Sequence, residues 1–284
     1  MGLVDLQVVD QVAELGDWLA DGGVVVLSGA GLSTDSGIPD YRGPSGSARR
    51  STPMTYQTFT RDPVARRRYW ARSHLGWRTI GEAQPNDGHR AVARFQQAGL
   101  LRGIITQNVD GLHQAAGARE VVELHGNLAR ITCLACGGST PRELLSHRLD
   151  AANPQFAGVA TAFNADGDAE LADESLDGFT VVDCLDCGGL LKPDVVYFGE
   201  TVPPERVSRS FDLVAGARTL LVLGSSLTVM SGRRFVLRAA RDGIRVAIVN
   251  RGVTRGEPYA GLCVDAPLGI VLPHLACELT PVSS

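Results

Sequence analysis

A chain of 284 residues, 44% of them hydrophobic, can bury a substantial core, which excludes a disordered or fibrous protein and allows one large domain carrying insertions, or two domains. A formal charge of −4 and a pI near 5.9 leave no basic excess of the kind nucleic-acid binding draws on, and no apolar run approaches membrane length. The first basic residue is Arg42, so neither a signal peptide nor an Arg-rich transit peptide is expected, and the reading is a cytoplasmic protein with no membrane partner.

Leu6, Val9, Val12, Ala13, Gly16 and Leu19 recur at helical spacing, and Gly22-Gly23 ends that predicted helix. Val24-Val25-Val26-Leu27 follows as a buried strand. Three further runs have the same character: Gly103-Ile104-Ile105-Thr106, Thr219-Leu220-Leu221-Val222-Leu223 and Arg245-Val246-Ala247-Ile248-Val249. Helical patterns such as Val92, Phe95 and Leu100, or Phe235, Val236 and Ala239, lie beside them. Buried strands alternating with helices predict an α/β fold with a doubly wound, Rossmann-like parallel sheet. Each strand ends in a polar or Gly-rich turn: Ser28 to Gly31, Gln107 to Asp110, Gly224 to Ser226, and Asn250 to Gly252. Ligands of such sheets bind beyond the carboxyl ends of the strands, so one crevice is expected to collect all four turns.

Two stretches break the alternation. Residues 44–87 are rich in Arg, Ser, Thr and aromatics, with a predicted helix from Asp62 to Ile80 and a turn at Gln84-Pro85-Asn86; the clusters Arg49-Arg50 and Arg66-Arg67-Arg68 read as a solvated face. Residues 126–195 carry two hooks, Cys133-Leu-Ala-Cys136 and Cys184-Leu-Asp-Cys187, each followed by Gly-Gly. Four thiols in two such hooks close a tetrahedral zinc site with no position left for water or substrate, so one structural zinc ion is expected on Cys133, Cys136, Cys184 and Cys187. Cys263 and Cys277 remain as buried thiols. Between the hooks, the acidic piece Asn164 to Asp168 reads as a surface loop. The division expected is a sheet domain from 1–43, 88–125 and 196–284, a helical insertion at 44–87 and a smaller zinc-ribbon domain at 126–195.

Gly29-Ala30-Gly31 directly after a strand is a phosphate cradle, because glycine permits close backbone approach to a pyrophosphate. It departs from the dehydrogenase fingerprint: Thr34 stands at the sixth position, and Arg49, Arg50 and Ser51 stand where a ribose-binding acid belongs, which disfavours hydride transfer. The continuation from Gly29 to Gly43 resembles the cofactor loop of the sirtuins, the NAD-dependent protein deacylases. So do Thr106 to His113, Glu123 to Gly126, both cysteine hooks, Lys192 to Glu200, Gly224 to Leu227, and Asn250. These blocks run in family order from about residue 22 to residue 273. Asp40-Tyr41-Arg42 and Arg68 to Arg72 with Gly76-Trp77 look like the class II branch. Gly224-Ser225-Ser226 replaces the GTS of many sirtuins and Tyr41 a phenylalanine, neither of which puts NAD binding in doubt.

The resemblance implies roles, residue by residue. His125, at the end of Val121-Val122-Glu123-Leu124, becomes the general base that takes a proton from the cofactor ribose, a task suited to an imidazole. Asn108, counted as catalytic, and Asp110 hold the nicotinamide amide and a water, and Gln107 contacts ribose. Gly29, Ala30, Gly31, Ser33, Asp40, Tyr41, Arg42, Gly224, Ser225, Ser226, Asn250, Arg251, Gly252 and Leu268 are the remaining expected contacts to NAD, a consumed co-substrate. An acyl-lysine protein or peptide is the expected partner, adding as a strand beside the extended run that follows Pro193, with Val195, Val196, Phe198 and Gly199 as its contacts. Tyr69 and Arg72, at i and i+3 of the predicted helix, resemble the pair that holds the distal carboxylate in sirtuins removing dicarboxylic acyl groups; the alternative is that Tyr69 packs and Arg72 pairs locally. The implied reaction is deacylation with release of nicotinamide and transfer of the acyl group to ADP-ribose. Its rivals are mono-ADP-ribosyl transfer at the same site and, more distantly, a zinc-ribbon module for nucleic acid.

Overall fold

In the computed structural model, residues 6–40, 53–156, 162–163, 169–170 and 178–280 are described. The four hydrophobic runs become the inner strands of a six-stranded parallel sheet. These are β1 (Val24–Ser28), β2 (Leu101–Thr106), β9 (Thr219–Leu223) and β10 (Arg245–Val249), flanked by β3 (Val121–Glu123) and β11 (Leu262–Val264) in the order β11-β10-β9-β1-β2-β3. The pleat sends alternate side chains of one strand to opposite faces. Val24 and Val26 pack with α1 (Leu6–Ala20), α4 (Asp87–Gln97) and α9 (Leu268–Leu279), through residues such as Leu15, Phe95 and Leu272. Val25 and Leu27 pack with α7 (Pro204–Ala215) and α8 (Met230–Arg241), through Val214, Phe235 and Val236. Both faces are covered, so the strands are apolar throughout.

A second unit stands over the carboxyl side of this sheet. Its helices are α2 (Tyr56–Arg61), α3 (Pro63–Glu82) and α6 (Arg142–Ala152); its strands β4 (Gly126–Cys133), β5 (Ser139–Pro141) and β8 (Leu191–Val195) form an antiparallel sheet in the order β5-β4-β8. Asp62 caps α3, its Oδ1 accepting from the N–H groups of Val64 and Ala65. The helical segment and the cysteine-bearing segment share one core, in which Phe59, Tyr69, Trp70 and Ile80 meet Ile131, Leu145, Leu149 and Leu191. The remaining elements are the short α5 (Leu112–Ala115) and a two-stranded ladder of β6 (Ala162–Phe163) and β7 (Ala169–Glu170).

Several sequence expectations are corrected here. Pro193 lies inside β8 rather than bounding an extended run; β8 is an edge strand, where a missing N–H costs no ladder bond. Cys277 is exposed and Cys263 only half-buried, because position 277 turns away from the face that carries Leu275 and Ala276 into the core. Arg66, Arg67 and Arg68 are half-buried rather than solvated, and Arg66 donates to the carbonyls of Phe59 (2.8 Å) and Thr60 (3.3 Å). The helix α6 interrupts the segment between the hooks. Arg49, Arg50 and the piece from Asn164 to Asp168 lie outside the described residues. Among the described residues, no helix is long and apolar enough to cross a membrane.

Candidate functional site

The turns after β1, β2, β9 and β10 converge, as the parallel sheet dictates, on one cavity of about 1060 Å³. The turn after β1 and the turn after β9 touch backbone to backbone: Gly31 N–H donates to the Gly224 carbonyl (2.9 Å). A Cβ on Gly29 would lie 2.8 Å from Ser225 Cβ, and one on Gly31 would lie 2.9 Å from Gly224 Cα. Gly224 itself has φ +60, and its Cβ would meet Leu32 N at 2.6 Å. Only glycine fits this contact, which leaves a floor of bare backbone in the cavity.

The turn after β2 is wired into that floor. Asn108 Nδ2 donates to the Gly29 carbonyl (3.1 Å) and to Ser33 Oγ (3.0 Å), and Ser33 Oγ donates to Asp110 Oδ2 (2.7 Å). Asp110 Oδ1 accepts from Leu112 N–H (2.9 Å); burial nevertheless raises its carboxyl above the ordinary value. Gln107 Nε2 donates to Ser225 Oγ (2.8 Å) and to the Ser28 carbonyl (3.3 Å).

His125 sits in the short link between β3 and β4. Its Nδ1 lies 3.0 Å from the Gln107 carbonyl, an obligate acceptor, so Nδ1 carries the proton and Nε2 the lone pair; Ser231 Oγ donates to Nε2 at 2.8 Å. Burial pushes this imidazole down to about 4, against the Gln107 carbonyl, which raises it, and with Arg234 and Arg206, which lower it further. The ring is therefore neutral at pH 7.

One wall of the cavity is the segment from Val195 to Gly199. Val196 N–H donates to the His125 carbonyl (2.8 Å), Phe198 accepts from Tyr56 N–H (3.0 Å), and Gly199 accepts from Gln57 Nε2 (3.1 Å). The buried ammonium of Lys192 braces the turn by donating to the Val195 carbonyl (2.5 Å) and to Glu200 (3.1 Å). Below it an ion-pair chain crosses from one sheet to the other: Arg130 binds Glu123 (2.6 Å) at the end of β3 and Asp194 (3.0 Å) on β8, and Arg206 on α7 binds Asp194 at 2.8 Å.

Most of the residues picked from sequence meet in this cavity: Gly29, Ala30, Gly31, Ser33, Asp40, Gln107, Asn108, Asp110, His125, Val195, Val196, Phe198, Gly199, Gly224, Ser225, Ser226, Asn250, Arg251 and Gly252 all line it. Tyr41 and Arg42 lie outside the described residues. Leu268 does not line it; as the first residue of α9 it packs into the core. Tyr69 lines it, with its ring 5.4 Å from Tyr197 and 5.5 Å from Phe59, while Arg72 is half-buried and outside the lining. The described lining holds one cationic side chain, Arg251, on the loop after β10. Sequence reasoning missed Ser231, Tyr197 and Met54, which also line the cavity. Ser231 had one legible signal, a hydroxyl in the first turn of a helix that begins soon after the β9 turn.

Away from the cavity, the Sγ atoms of Cys133, Cys136, Cys184 and Cys187 all lie within 4.8 Å of one another, with Cys133 to Cys187 at 3.5 Å and Cys136 to Cys184 at 3.9 Å. Thiolates on a tetrahedral zinc stand about 3.8 Å apart, from a Zn–S bond of about 2.3 Å, so the donor set fits that ion and fills its coordination. Gly137 (φ +73) and Gly188 (φ +69) turn the two hooks, and a Cβ on Gly189 would lie 2.6 Å from Ala135 Cβ.

Comparison with known proteins gives a consistent result. The family model described as Sir2 family matches residues 29–231. "NAD-dependent protein deacetylase 1" of Streptomyces coelicolor is 62% identical over 268 residues, covering 94% of this chain and 90% of that protein. Its namesake in Mycobacterium avium is 51% identical over 271 residues, covering 93% of this chain and 94% of that protein. A Sir2 structure with a p53 peptide and NAD+ superposes with a TM-score of 0.75 at 30% identity, covering 95% of this chain and 98% of that one. Another, with a deacetylated p53 peptide and 3'-O-acetyl ADP ribose, gives 0.78 at 29% identity, covering 96% and 99%.

Proposed function

Because the chain belongs to the Sir2 family, we propose that it is an NAD-dependent protein-lysine deacetylase, one that converts an acyl-lysine peptide and NAD into the free lysine, nicotinamide and acyl-ADP-ribose. The observation that carries this is the placement of a neutral imidazole, its Nε2 lone pair turned into a cavity whose floor is bare glycine backbone and whose wall is an extended edge. A dinucleotide fits that floor, since the turns after β1 and β9, packed together through Gly29, Gly31 and Gly224, line the cavity with backbone rather than bulky side chains. Bound NAD supplies the acceptor for the acyl group and is consumed.

The residues of this chain divide the rest of the work. Nδ1–H of His125 is pinned to the Gln107 carbonyl, which holds the tautomer in which Nε2 accepts a proton from a ribose hydroxyl. Asn108, fixed through Nδ2, and Asp110 hold the nicotinamide amide; Ser33 ties the two together. Ser225, Ser226, Asn250 and Arg251 take the ribose and base at the far end. The segment from Val195 to Gly199 holds the peptide by backbone hydrogen bonds, and Tyr69 with Met54 lines the acyl channel. The four cysteines hold one zinc ion that keeps the second unit together and takes no part in the reaction. Four cysteines given to a metal and two left as thiols suit a reducing compartment, and we place the protein in the cytoplasm with acyl-lysine proteins, rather than nucleic acid or membrane, as partners.

The test is mass spectrometry of the protein incubated with NAD and a panel of acyl-lysine peptides. Free lysine with acyl-ADP-ribose supports the reading. ADP-ribosylated protein without deacylated peptide would replace it with ADP-ribosyl transfer.

A further inference from the structure

The imidazole at the site is held at both nitrogens, and the second anchor comes from a distant part of the chain. Ser231 is the second residue of α8, 106 positions from His125 in sequence, and lines the same cavity. Since the Gln107 carbonyl can only accept, the Nδ1 proton is committed to it, and the Ser231 hydroxyl must donate to Nε2. The two anchors are also locked to each other. Gly232, next to Ser231, lies so close to Gln107 that a Cβ there would stand 2.5 Å from Gln107 Oε1 and 2.8 Å from Gln107 Cδ. That amide cannot swing away without breaking its bonds to Ser225 Oγ and the Ser28 carbonyl. The first turn of α8 is therefore seated against the loop that holds the other side of the ring.

We propose that Ser231 is a positioning residue for deacylation, its hydroxyl fixing the plane of the His125 ring, with the Nε2 lone pair directed into the cavity, until the proton-transfer step, at which the ribose hydroxyl takes its place as donor. The inference rests on the reading of His125 as proton acceptor. A ring bonded only through Nδ1 can pivot about that bond. A second hydrogen bond at the opposite nitrogen removes this freedom, and because its donor is an aliphatic hydroxyl, the same chemical class as the ribose hydroxyl, the acceptor is already oriented for an O–H donor before the cofactor arrives. No proton is transferred in this role: Ser231 keeps its hydrogen throughout.

Ser231→Ala, Ser231→Thr and His125→Ala test this in the zinc-loaded protein, with kcat and KM for NAD measured on an acetyl-lysine peptide beside exchange of labelled nicotinamide into NAD. Exchange reports cleavage of the nicotinamide bond and needs no acceptor at Nε2. Ser231→Ala is expected to lower kcat about tenfold, the rate equivalent of one hydrogen bond, with KM for NAD and nicotinamide exchange kept within about twofold. Ser231→Thr, which restores the hydroxyl, is expected to keep most of kcat, and it carries the test should Ser231→Ala fold poorly. A kcat for Ser231→Ala within about twofold of wild type, while His125→Ala is inactive, overturns the proposal and leaves the reading of His125 intact. A rise in KM at unchanged kcat also overturns it, since that marks an ordinary cofactor contact. Substantial turnover by His125→Ala removes the reading itself.

Discussion

Three imidazoles are folded into this protein in their neutral form. Burial pushes His113 down to about 3 and both His89 and His125 down to about 4. His113 Nε2 meets Ser28 Oγ at 2.8 Å, and its ring stands edge-on to His89 at 5.2 Å, so a charge on either ring disfavours one on the other. In the unfolded chain each histidine titrates near its ordinary value of about 6.5. Between that value and the native ones the unfolded state binds protons that the native state refuses, so this contribution to stability is complete above about pH 6.5 and is lost as pH falls toward about 4. At pH 5 the unfolded histidine lies about 1.5 units below its midpoint, which is a loss of about 2 kcal/mol for each, or about 6 kcal/mol for the three. His74, lowered by burial against the opposing pull of Asp150, adds to the loss; Asp110, raised by burial, works against it. Set against the roughly 5–15 kcal/mol by which domains are stable, a loss of that order is a large share of the whole. Urea denaturation at pH 8, 6.5 and 5, followed by tryptophan fluorescence, measures this directly. His113→Gln cannot titrate, so its loss between pH 8 and 5 should be smaller than wild type's by about 2 kcal/mol, whatever the acid does to the cysteine site. The reasoning fails if wild type loses less than about 2 kcal/mol over that range, or if His113→Gln loses as much as wild type.

Four further outcomes are expected. His125→Ala keeps the fold and most NAD affinity, by calorimetry, and loses about 10²–10⁴-fold in deacylation rate, the usual cost of a missing general base. Cys136→Ser releases zinc, read by metal analysis, and lowers the melting temperature; an active protein that never contained zinc would contradict it. Gly126→Ala fails to fold or loses more than about 3 kcal/mol in denaturation, because at φ +90 its Cβ would stand 1.8 Å from the Asp194 carbonyl oxygen. Arg72→Ala is expected to change turnover of acetyl-, glutaryl- and fatty-acyl-lysine peptides by a common factor, since Arg72 lies outside the cavity lining; a selective loss on glutaryl-lysine would instead assign it to a carboxylate-holding pair with Tyr69.

The sheet and most of the cavity were legible because their signals are local. A β-branched run such as Val24 to Leu27, closed by Ser28-Gly29, carries both its burial and its exit turn within a few residues, and parallel topology then sends every such turn to one end. The cysteine hooks are equally local. What could not be read depends on partners far apart in sequence. Ser231 looks like any serine at a helix start until β3, β9 and α8 bring it against His125. Tyr69 sits at the cavity wall because α3 turns it against Phe59 and Tyr197, partners that only the fold brings to it. Leu268 sits near the loops after β10 and β11, yet α9 needs it in the core. Cys277 and Pro193 were misplaced because their exposure depends on the face and edge they occupy, which composition does not show.

The link between the two sheets has a mechanical consequence. The chain leaves the large sheet through Leu124 and His125, turns at Gly126 into β4, and returns from β8 at Val196, whose N–H is bonded to the carbonyl of His125. Two of the strands joining the units thus pass through a single point, and the residue at that point is the one whose ring faces the cavity. The backbone of His125 is therefore shared by the two units: it is the exit from the large sheet, and its carbonyl pins the return from β8, so the proton acceptor is fixed from both sides.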